Sequence, residues 1–367
     1  MKRVLHLICL LAVSALLPAA LLISRGLPAD TRPYVEQKYA GWNGVLRAWV
    51  CADWECASSF TRWLNACATN FEKSHDGVYI EFTPVRAEML QQLAVSGIRP
   101  PELVLFSPEA LDDLSILKVI DAPNALRSDL RDINERAYPV AMGGYIRVCN
   151  RQLADSTIAV PSDDAAHSYS SAAIALMSDS PEEPIADSIL PDAGLDLGLP
   201  TSAEVAEESL TISNDAVDRF IRGELSSVVV TQAELARLIR LRDAGRGVDW
   251  ECAASGAAAY TDQLLMLGIV SQSGEAAEDR EALAEAFAAG LLEYEAQTKL
   301  ADIGAFSVTG ERIYSDFSAY AQLDALLNSR EIIASNHSPD CTGLLHALAD
   351  GAIRPEEALT QLRNIAR

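Results

Sequence analysis

The sequence predicts an α/β protein with two domains or lobes. Between Val45 and Ser107, apolar stretches typical of strands alternate with stretches of helical periodicity, and the connections between them are short. This order is typical of a parallel sheet with helices packed on it. The chain has 367 residues, of which 49% are hydrophobic. That length exceeds one ordinary hydrophobic core, and the apolar fraction is sufficient for two.

The first domain begins with three strands that alternate with two helices. The predicted elements are a strand at Val45–Val50, a helix at Ser58–Lys73, a strand at Gly77–Phe82, a helix at Arg86–Ser96 and a strand at Leu103–Ser107. Ligands of such sheets bind at the carboxyl ends of the strands. We therefore expect the loop Cys51–Cys56 and the side chain of Ser107 to lie on one rim of the sheet.

The later elements follow from the same patterns. They are a strand within Pro139–Asn150 that is opened by Gly143 and Gly144, a helix at Ala216–Arg222, a strand at Ser226–Thr231, a helix at Gln232–Asp243, a long apolar strand at Tyr260–Val270, a long amphipathic helix from Glu281 to about Lys299, and C-terminal helices near Asp316–Ser329, Cys341–Asp350 and Pro355–Ala366. The glycine pair permits a sharp change of direction. Gly304 ends the long helix as a breaker, and an extended segment follows it.

The chain is strongly acidic, with a formal net charge of −23 at pH 7. Binding to nucleic acid requires clustered Lys and Arg, so this charge argues against a nucleic-acid partner. Between Gln152 and Asp218 there are fourteen Asp or Glu residues and no Lys or Arg. Two interpretations of this acidic block are open: a folded lobe with long loops, which its recurrent Ala, Ile and Leu favour, or a partly disordered segment.

The N-terminus predicts an exported protein. Lys2 and Arg3 precede a predominantly apolar run, Val4–Ile23, which as a helix would be about 30 Å long and could cross a bilayer. Residues 1–25 are either a cleaved signal peptide or a retained membrane anchor, because no clear small-residue cleavage site follows the run. The two cations place the N-terminus on the inner side. Residues 26–44 are expected to form a linker.

Cysteine spacing argues against a zinc or redox centre. Six cysteines lie outside the apolar run: Cys51, Cys56, Cys67, Cys149, Cys252 and Cys341. An even number in an exported protein permits disulfides without fixing their pairing. No C-x-x-C pair occurs, which makes a structural zinc site or a thioredoxin-type centre unexpected. Cys67 shares one helix face with apolar residues, so we expect it to be a core thiol.

The sequence carries no familiar catalytic signature. It contains no G-x-S-x-G, H-E-x-x-H, G-x-x-x-x-G-K-[ST] or G-x-G-x-x-G motif, and its five histidines are scattered singly. The many acids could include a glycosidase pair, but no pair stands out. We therefore expect a protein that is not an enzyme and that needs no cofactor and no metal.

Five features, taken in order, form a pattern that covers the chain from Val45 onward. They are the export segment; LRAWV, FEKSHDGVYIEF and PELVLFS; MGGYIRVCN; YTDQLLMLGIV with AEAFAAGLLEYEAQTKLADIGAFSV; and the tail ALADGAIRPEEALTQLRNIA. This order resembles the extracellular solute-binding proteins of ATP-binding-cassette importers (family 1), especially the carbohydrate-binding group. The resemblance is weakest between Ala154 and Ser213. The family often has Asp where this chain has Glu102.

The resemblance implies a type II periplasmic-binding-protein-like fold, in which two α/β lobes are joined by a hinge of crossing strands and a ligand cleft lies between them. Lobe 1 would comprise residues 45–138 and 264–304, and lobe 2 residues 139–263 and 305–367. The long helix after Glu281 would then belong to lobe 1. Its apolar residues Leu283, Phe287 and Leu291 should pack with strands from residues 45 to 107 and not with the acidic block.

A sugar site needs aromatic faces for the apolar side of the ring, together with carboxylates or amides for its hydroxyls. On the implied fold, the residues that could line the cleft are Asp53, Trp54, Glu55 and Ser107 on the rim of lobe 1, Trp250 and Glu251 in lobe 2, and Tyr145, Tyr260 and Asp262 at the hinge. The two tryptophans lie in two copies of the pentapeptide DWECA. For Trp54 and Trp250 the alternative is core packing, and for Tyr145 it is packing of the hinge.

The resulting hypothesis is a monomeric receptor, membrane-anchored or secreted on the cell surface or in the periplasm. It would capture a small polar solute, by resemblance a carbohydrate, and deliver it to the permease subunits of an importer. One alternative is a sensor with the same fold that serves no transporter. A less favoured alternative is a secreted carbohydrate-active enzyme. Turnover of the ligand would identify the enzyme, and a neighbouring permease gene would favour the importer.

Overall fold

The computed structural model describes residues 42–94, 100–153, 158–160, 210–212, 216–253, 258–313, 327–328 and 331–335, with a few isolated positions after them. The predicted N-terminal membrane or signal segment, most of the acidic block and most of the C-terminal helices lie outside these residues. Within the described part of the chain, no helix is long and apolar enough to cross a membrane.

The described strands and helices agree closely with the elements expected in the first domain. The strands are β1 (Gly44–Cys51), β2 (Val78–Pro84), β3 (Leu103–Phe106), β4 (Ala137–Met142), β5 (Tyr145–Asn150), β6 (Ile158–Val160), β7 (Leu210–Ile212), β8 (Ser227–Thr231), β9 (Trp250–Ala253), β10 (Ala258–Thr261), β11 (Leu264–Ile269) and β12 (Glu331–Ala334). The helices are α1 (Phe60–Ser74), α2 (Ala87–Gln91), α3 (Ala216–Ile221), α4 (Gln232–Asp243), α5 (Ala277–Gly290) and α6 (Tyr294–Thr298). Short 3-10 turns connect several of them.

The first sheet has the strand order β2-β1-β3-β11-β4 among the described residues. As expected, β1 pairs in parallel with β2 and with β3. By contrast, β11 pairs antiparallel with β3 and with β4, so the sheet is mixed and not wholly parallel. The three parallel strands direct their carboxyl ends to one edge, which carries the loop after Cys51 and the residue Ser107.

The second sheet has the order β7-β6-β8-β5-β9, again counted over the described residues. In it, β6 is parallel to β7 and β8, whereas β5 is antiparallel to β8 and β9. A separate two-stranded pair is formed by β10 and β12. The strands β6 and β7 belong to the acidic block, and their pairing supports the folded interpretation for those two segments.

Three segments of chain, called here the first, second and third crossings, lie side by side at one end of the first sheet. Gly143 and Gly144 lead from β4 in the first sheet to β5 in the second, and Asp262 and Gln263 lead from β10 into β11. The third segment contains Phe306, whose N–H donates to the Met142 carbonyl at 2.8 Å and whose carbonyl accepts from the Met142 N–H at 3.2 Å. The strands expected at 139–150 and 260–270 are thus each divided in two, because their halves hydrogen-bond in different sheets.

The long helix expected after Glu281 is not continuous, which corrects the sequence prediction. α5 ends at Gly290, α6 begins at Tyr294, and a 3-10 turn at Lys299–Ile303 leads to Gly304. Gly304 has φ 73°, the left-handed conformation of a helix-ending glycine, as its position suggested. The buried amide of Gln297 explains the break, because its Nε2 donates to the Leu291 carbonyl at 2.7 Å and to the Val140 carbonyl at 3.0 Å.

The apolar face of α5 packs where the sequence predicts. Leu283 and Phe287 are buried, and Phe287 meets Phe71 of α1 edge-on at a centroid distance of 5.5 Å and Phe82 of β2 at 6.1 Å. Both partners lie within residues 45–107. The interface confirms that this late stretch of chain belongs with the first sheet.

A buried ion pair joins α5 to the same sheet. Glu102, which is fully buried, accepts from Arg280 Nη1 at 3.1 Å and from the backbone N–H of Arg47 at 2.8 Å. Arg280 is only 5% exposed. The carboxylate before β3 therefore connects β1, β3 and α5, which assigns a structural role to the position where the resembling family often has Asp.

Candidate functional site

The candidate site lies where the carboxyl ends of the first sheet meet the crossing segments. Two predicted residues come together there. The Asp53 N–H donates to Ser107 Oγ at 2.9 Å, and the Ser107 N–H donates to the Cys51 carbonyl at 2.9 Å. Because β1 and β3 are parallel neighbours, their carboxyl ends place Asp53 and Ser107 side by side, as the strand order predicts.

The buried indole of Trp54 fixes the loop that carries Asp53. Its indole N–H donates to the Leu264 carbonyl at 3.1 Å, at the beginning of β11, and its ring packs edge-on against Phe60 at a centroid distance of 4.7 Å. The residue is 5% exposed. In this arrangement Trp54 anchors the loop after β1 to the second crossing, while Asp53 and Glu55 on either side of it are exposed.

Two further predicted residues meet at the hinge. The Tyr145 hydroxyl donates to Asp262 Oδ1 at 2.8 Å. Tyr145 begins β5 after the first crossing, and Asp262 lies in the second crossing, so this hydrogen bond ties the two crossings together. Both side chains are half-buried.

The rim and the hinge share one electrostatic environment. Loss of water around Asp53 raises the pKa of its carboxyl above the usual value, and the hydroxyl of Ser107 lowers it in part. The negative charges of Glu109 and Asp262 raise the same pKa further. Asp53 and Asp262 therefore lie close enough to repel each other, although the residue Asp53 as a whole is exposed.

Gln232 is a residue of this region that the sequence prediction missed. Its side chain is fully buried, its Nε2 donates to the Glu55 carbonyl at 2.8 Å, and its Oε1 accepts from the Gly144 N–H at 2.9 Å. The signal was present in the sequence. Thr231 and Glu234 form a capping box that begins α4 directly after β8, so position 232 must lie at the carboxyl end of a strand.

Trp250 and Glu251 lie far from the other candidate site residues. In the antiparallel ladder of β5, Tyr145 lies opposite Thr231 whereas Asn150 lies opposite Trp250, which separates the two ends by about 17 Å at the usual rise of a strand. Trp250 is 4% exposed and lies beneath the guanidinium of Arg242 at 4.6 Å.

Glu251 has a local partner on the surface, since Arg151 Nη2 lies 2.8 Å from its Oε2. The last candidate, Tyr260, lies in β10 opposite Ile333, but its side chain lies outside the described residues. Ligand contact by Trp250, Glu251 and Tyr260 therefore stays a prediction without support from their placement.

The chemistry at the junction is that of hydrogen-bond acceptors and hydroxyl groups. Asp53, Asp262, Ser107 and Tyr145 can accept from, or donate to, the hydroxyls of a small polar molecule. Cys51 lies under the same rim, and burial raises the pKa of its thiol. In the part of the chain that the structure describes, no group of three or more metal-binding side chains occurs.

Comparison with solved structures identifies the fold. A maltodextrin-binding protein from L. casei BL23 without ligand matches with a TM-score of 0.54 at 12% identity, over 89% of this chain and 100% of that chain. The cyclic α-maltosyl-1,6-maltose binding protein from Arthrobacter globiformis matches with a TM-score of 0.51 at 13% identity, over 89% and 98%. An ABC substrate-binding protein from Listeria monocytogenes in complex with cycloalternan matches with a TM-score of 0.50 at 11% identity, over 88% and 98%.

Sequence comparison adds nothing to this result, because neither the family models nor the curated proteins give a match. The structural matches cover nearly the whole length of each neighbour. They confirm the two-lobe periplasmic-binding-protein-like fold that the sequence pattern predicts. At 11–13% identity they show the fold alone.

Proposed function

We propose that this chain is the solute-binding component of an ATP-binding-cassette importer and that it captures a carbohydrate at the junction of its two sheets. The observation that carries the proposal is the meeting of Asp53, Ser107, Tyr145 and Asp262 where the carboxyl ends of the first sheet reach the crossing segments. The fold supports it, since the neighbours named above bind maltodextrin, cyclic maltosyl-maltose or cycloalternan by their own descriptions.

The proposed site has contacts on both sides of the junction. Asp53 and Ser107 lie at the end of the first sheet, Tyr145 begins the second, and Asp262 lies in the segment between β10 and β11. A sugar that donates its hydroxyls to both carboxylates would bring these parts together. Such a ligand stabilises the arrangement in which it touches both lobes by its differential contacts, and the lobes close around it.

The desolvated carboxylate of Asp53 suits a donor-rich ligand. The charge of Asp262 opposes the ionisation of Asp53, and each sugar hydroxyl that donates to Asp53 compensates for the water that this carboxylate has lost. Hydrogen bonds to charged acceptors are also stronger than those between neutral groups. We propose that aromatic stacking contributes little at Trp54 and Trp250, because both indoles are almost fully buried.

The remaining parts of the proposal follow from the sequence. We propose that residues 1–25 export or anchor the chain, that residues 45–138 with 264–304 and residues 139–263 with 305–367 are the two lobes, and that the protein acts as a monomer outside the cytoplasm. We also propose that it binds without turnover, which fits neighbours that are binding proteins.

A thermal-unfolding screen tests the proposal. The full-length chain is heated with millimolar maltose, maltotetraose, cyclodextrin, a polyol set and an amino-acid set. A ligand present at about one hundred times its Kd should stabilise the fold by about 2.7 kcal/mol and raise the unfolding midpoint. Chromatography of the recovered sugar should show it unchanged. A screen in which no sugar raises the midpoint, or in which the sugar is cleaved, would remove the proposal.

A further inference from the structure

A cavity lies in the helical layer that covers the first sheet, away from the residues proposed for the sugar. Its volume is about 460 Å³, and its walls come from the second half of α1 and from the segment between the end of α5 and Lys299. α1 begins beside the rim loop at Phe60 and ends at Ser74, about 21 Å further along by the rise of a helix. None of the residues proposed for the sugar lines this cavity.

Part of the cavity wall is aromatic, and part of it is open. Phe71 and Phe287 meet edge-on at a centroid distance of 5.5 Å, and His75 stacks on Phe71 at 3.8 Å. Gly290 lines the cavity as well, and a Cβ at this position would meet no atom within 4 Å. A ligand in the cavity would therefore find an apolar surface for one of its groups and free space beside the glycine.

Two lysines without a partner line this one cavity. The sequence has five lysines, and the described residues include three of them. Lys118 forms ion pairs with Glu281 and Glu285. The ammonium groups of Lys73 and Lys299, by contrast, make no hydrogen bond or ion pair within the described residues. Because acids far outnumber cations in this chain, a surface that served only solubility would not leave both of these lysines unpaired beside one cavity.

Two carboxylates of the same cavity are also unpaired within the described residues. They belong to Glu293 and Glu295, and neither forms an ion pair with the lysines. Burial raises the pKa of the Cys67 thiol in the cavity wall to about 11, and the positive charge of Lys299 lowers it in part, so this ammonium group lies close to the wall. Two cations and two anions thus surround a partly apolar cavity without direct contact between opposite charges.

We propose that this cavity is a second ligand site, which binds a free amino acid with an apolar side chain. Lys73 and Lys299 bind the carboxylate of the amino acid, and Glu293 and Glu295 bind its ammonium group. The apolar side chain lies against the aromatic wall, in the space that the missing Cβ of Gly290 leaves open. Hydrogen bonds between ionised groups are stronger than those between neutral groups, and the volume is typical of a small-molecule site.

A zwitterion fits this arrangement of charges better than an ion of one sign. A simple anion would lie beside two unpaired carboxylates, and a simple cation beside two unpaired ammonium groups, so each would be repelled by like charges. A sugar would leave all four charges without an ionic partner. Water reaches Lys73, Glu293 and Glu295, which weakens each ionic contact. We therefore expect a dissociation constant on the order of millimolar.

Equilibrium dialysis of L-leucine against the full-length chain in detergent, without sugar, tests the site. One leucine should bind per chain. N-acetylleucine lacks the ammonium group and leucine amide lacks the carboxylate, so each should bind at least about tenfold more weakly than leucine. Equal affinity for the three compounds would overturn the proposal. No leucine binding at concentrations up to about ten times the expected dissociation constant would also overturn it.

Three variants locate the binding. Lys299→Gln removes one cation and should weaken leucine binding roughly tenfold, while the weaker binding of leucine amide stays unchanged. Gly290→Leu fills the open space without changing a charge and should abolish leucine binding. Lys118→Gln, at a paired lysine outside the cavity, is the matched control and should bind leucine like the wild type.

Wild-type affinity for leucine in Lys299→Gln would contradict this location, and so would an equal loss in Lys118→Gln. Undiminished binding by a folded Gly290→Leu variant would contradict it as well, and if that variant does not fold, Lys299→Gln decides. Neither substitution in the cavity touches a residue proposed for the sugar. Failure of this site would therefore leave the proposed sugar site standing, and failure of the sugar site would leave this one.

Discussion

At the scale of single residues, the candidate site is a place where ligand chemistry opposes stability. Asp53 has lost part of its water and lies near two other carboxylates, so its pKa is raised. A carboxyl with a raised pKa in the folded state binds its proton more tightly there than in the unfolded chain, whose Asp pKa is about 3.9. As the pH rises from about 3.9 to the raised pKa of the folded state, the group ionises and the fold is therefore destabilised.

We expect Asp53→Asn to stabilise the protein at neutral pH. Asn resembles the protonated acid, so the variant and the wild type should unfold at similar urea concentrations near pH 3.5. The midpoint of the variant should then become higher than that of the wild type as the pH rises toward 7. Asp132→Asn, an exposed change in the same half, is the control. A difference between Asp53→Asn and wild type that does not grow with pH would contradict the assignment.

The two copies of DWECA show why residue identity alone did not define the site. The first copy forms the rim loop and buries Trp54 against Phe60, whereas the second forms the edge strand β9 and buries Trp250 under Arg242. Strand-end reasoning correctly brought Asp53 to Ser107. It could not show that Trp54, which the sequence places in a loop, donates its indole N–H to a carbonyl more than two hundred residues later.

At the scale of elements, Gln297 organises the passage from α5 to the third crossing. Its Nε2 donates to the carbonyls of Val140 and Leu291, and its Oε1 accepts from Ser307 Oγ at 2.8 Å and from the Val308 N–H at 3.1 Å. One fully buried side chain therefore hydrogen-bonds to polar groups of the helix break, of β4 and of the segment after Phe306. A break of this kind depends on a distant carbonyl, so helical periodicity predicted an uninterrupted helix.

We expect Gln297→Leu to destabilise the fold by about 3 kcal/mol or more. The substitution leaves buried carbonyl and N–H groups without partners, and each such group is unfavourable by about 1–3 kcal/mol. Equilibrium unfolding in urea measures the loss. The matched change Gln92→Leu, at an exposed position of the 3-10 turn after α2, should stay within about 0.5 kcal/mol of wild type. Equal stabilities of the two variants would contradict the role of Gln297.

The elements that could be predicted are those whose signals are local. Strand alternation in β1, the helical pattern of α4 and the apolar face of α5 each depend on residues within a few positions of one another, and the structure has them where expected. The antiparallel insertion of β11 between β3 and β4 depends on partners far apart in the chain. Only the order of motifs along the whole sequence indicated that crossing.

At the scale of the whole molecule, the structural neighbours confirm the predicted fold, and the proposed function depends on how the two halves approach each other. The proposed sugar site lies at the junction. Sequence located the hinge through its glycine pair and its apolar strands. It did not identify Gln232, because the importance of that side chain comes from a contact between halves that no local pattern records.

Calorimetric titration of maltotetraose into the full-length chain tests the central claim most directly. The wild type should bind one sugar per chain, and Asp262→Asn should bind at least tenfold more weakly, a loss of about 1.4 kcal/mol, because the carboxylate at the hinge is removed. Glu251→Gln, on the remote edge strand, should bind like the wild type. Equal weakening by both variants, or undiminished binding by Asp262→Asn, would contradict a site at the junction of the two sheets.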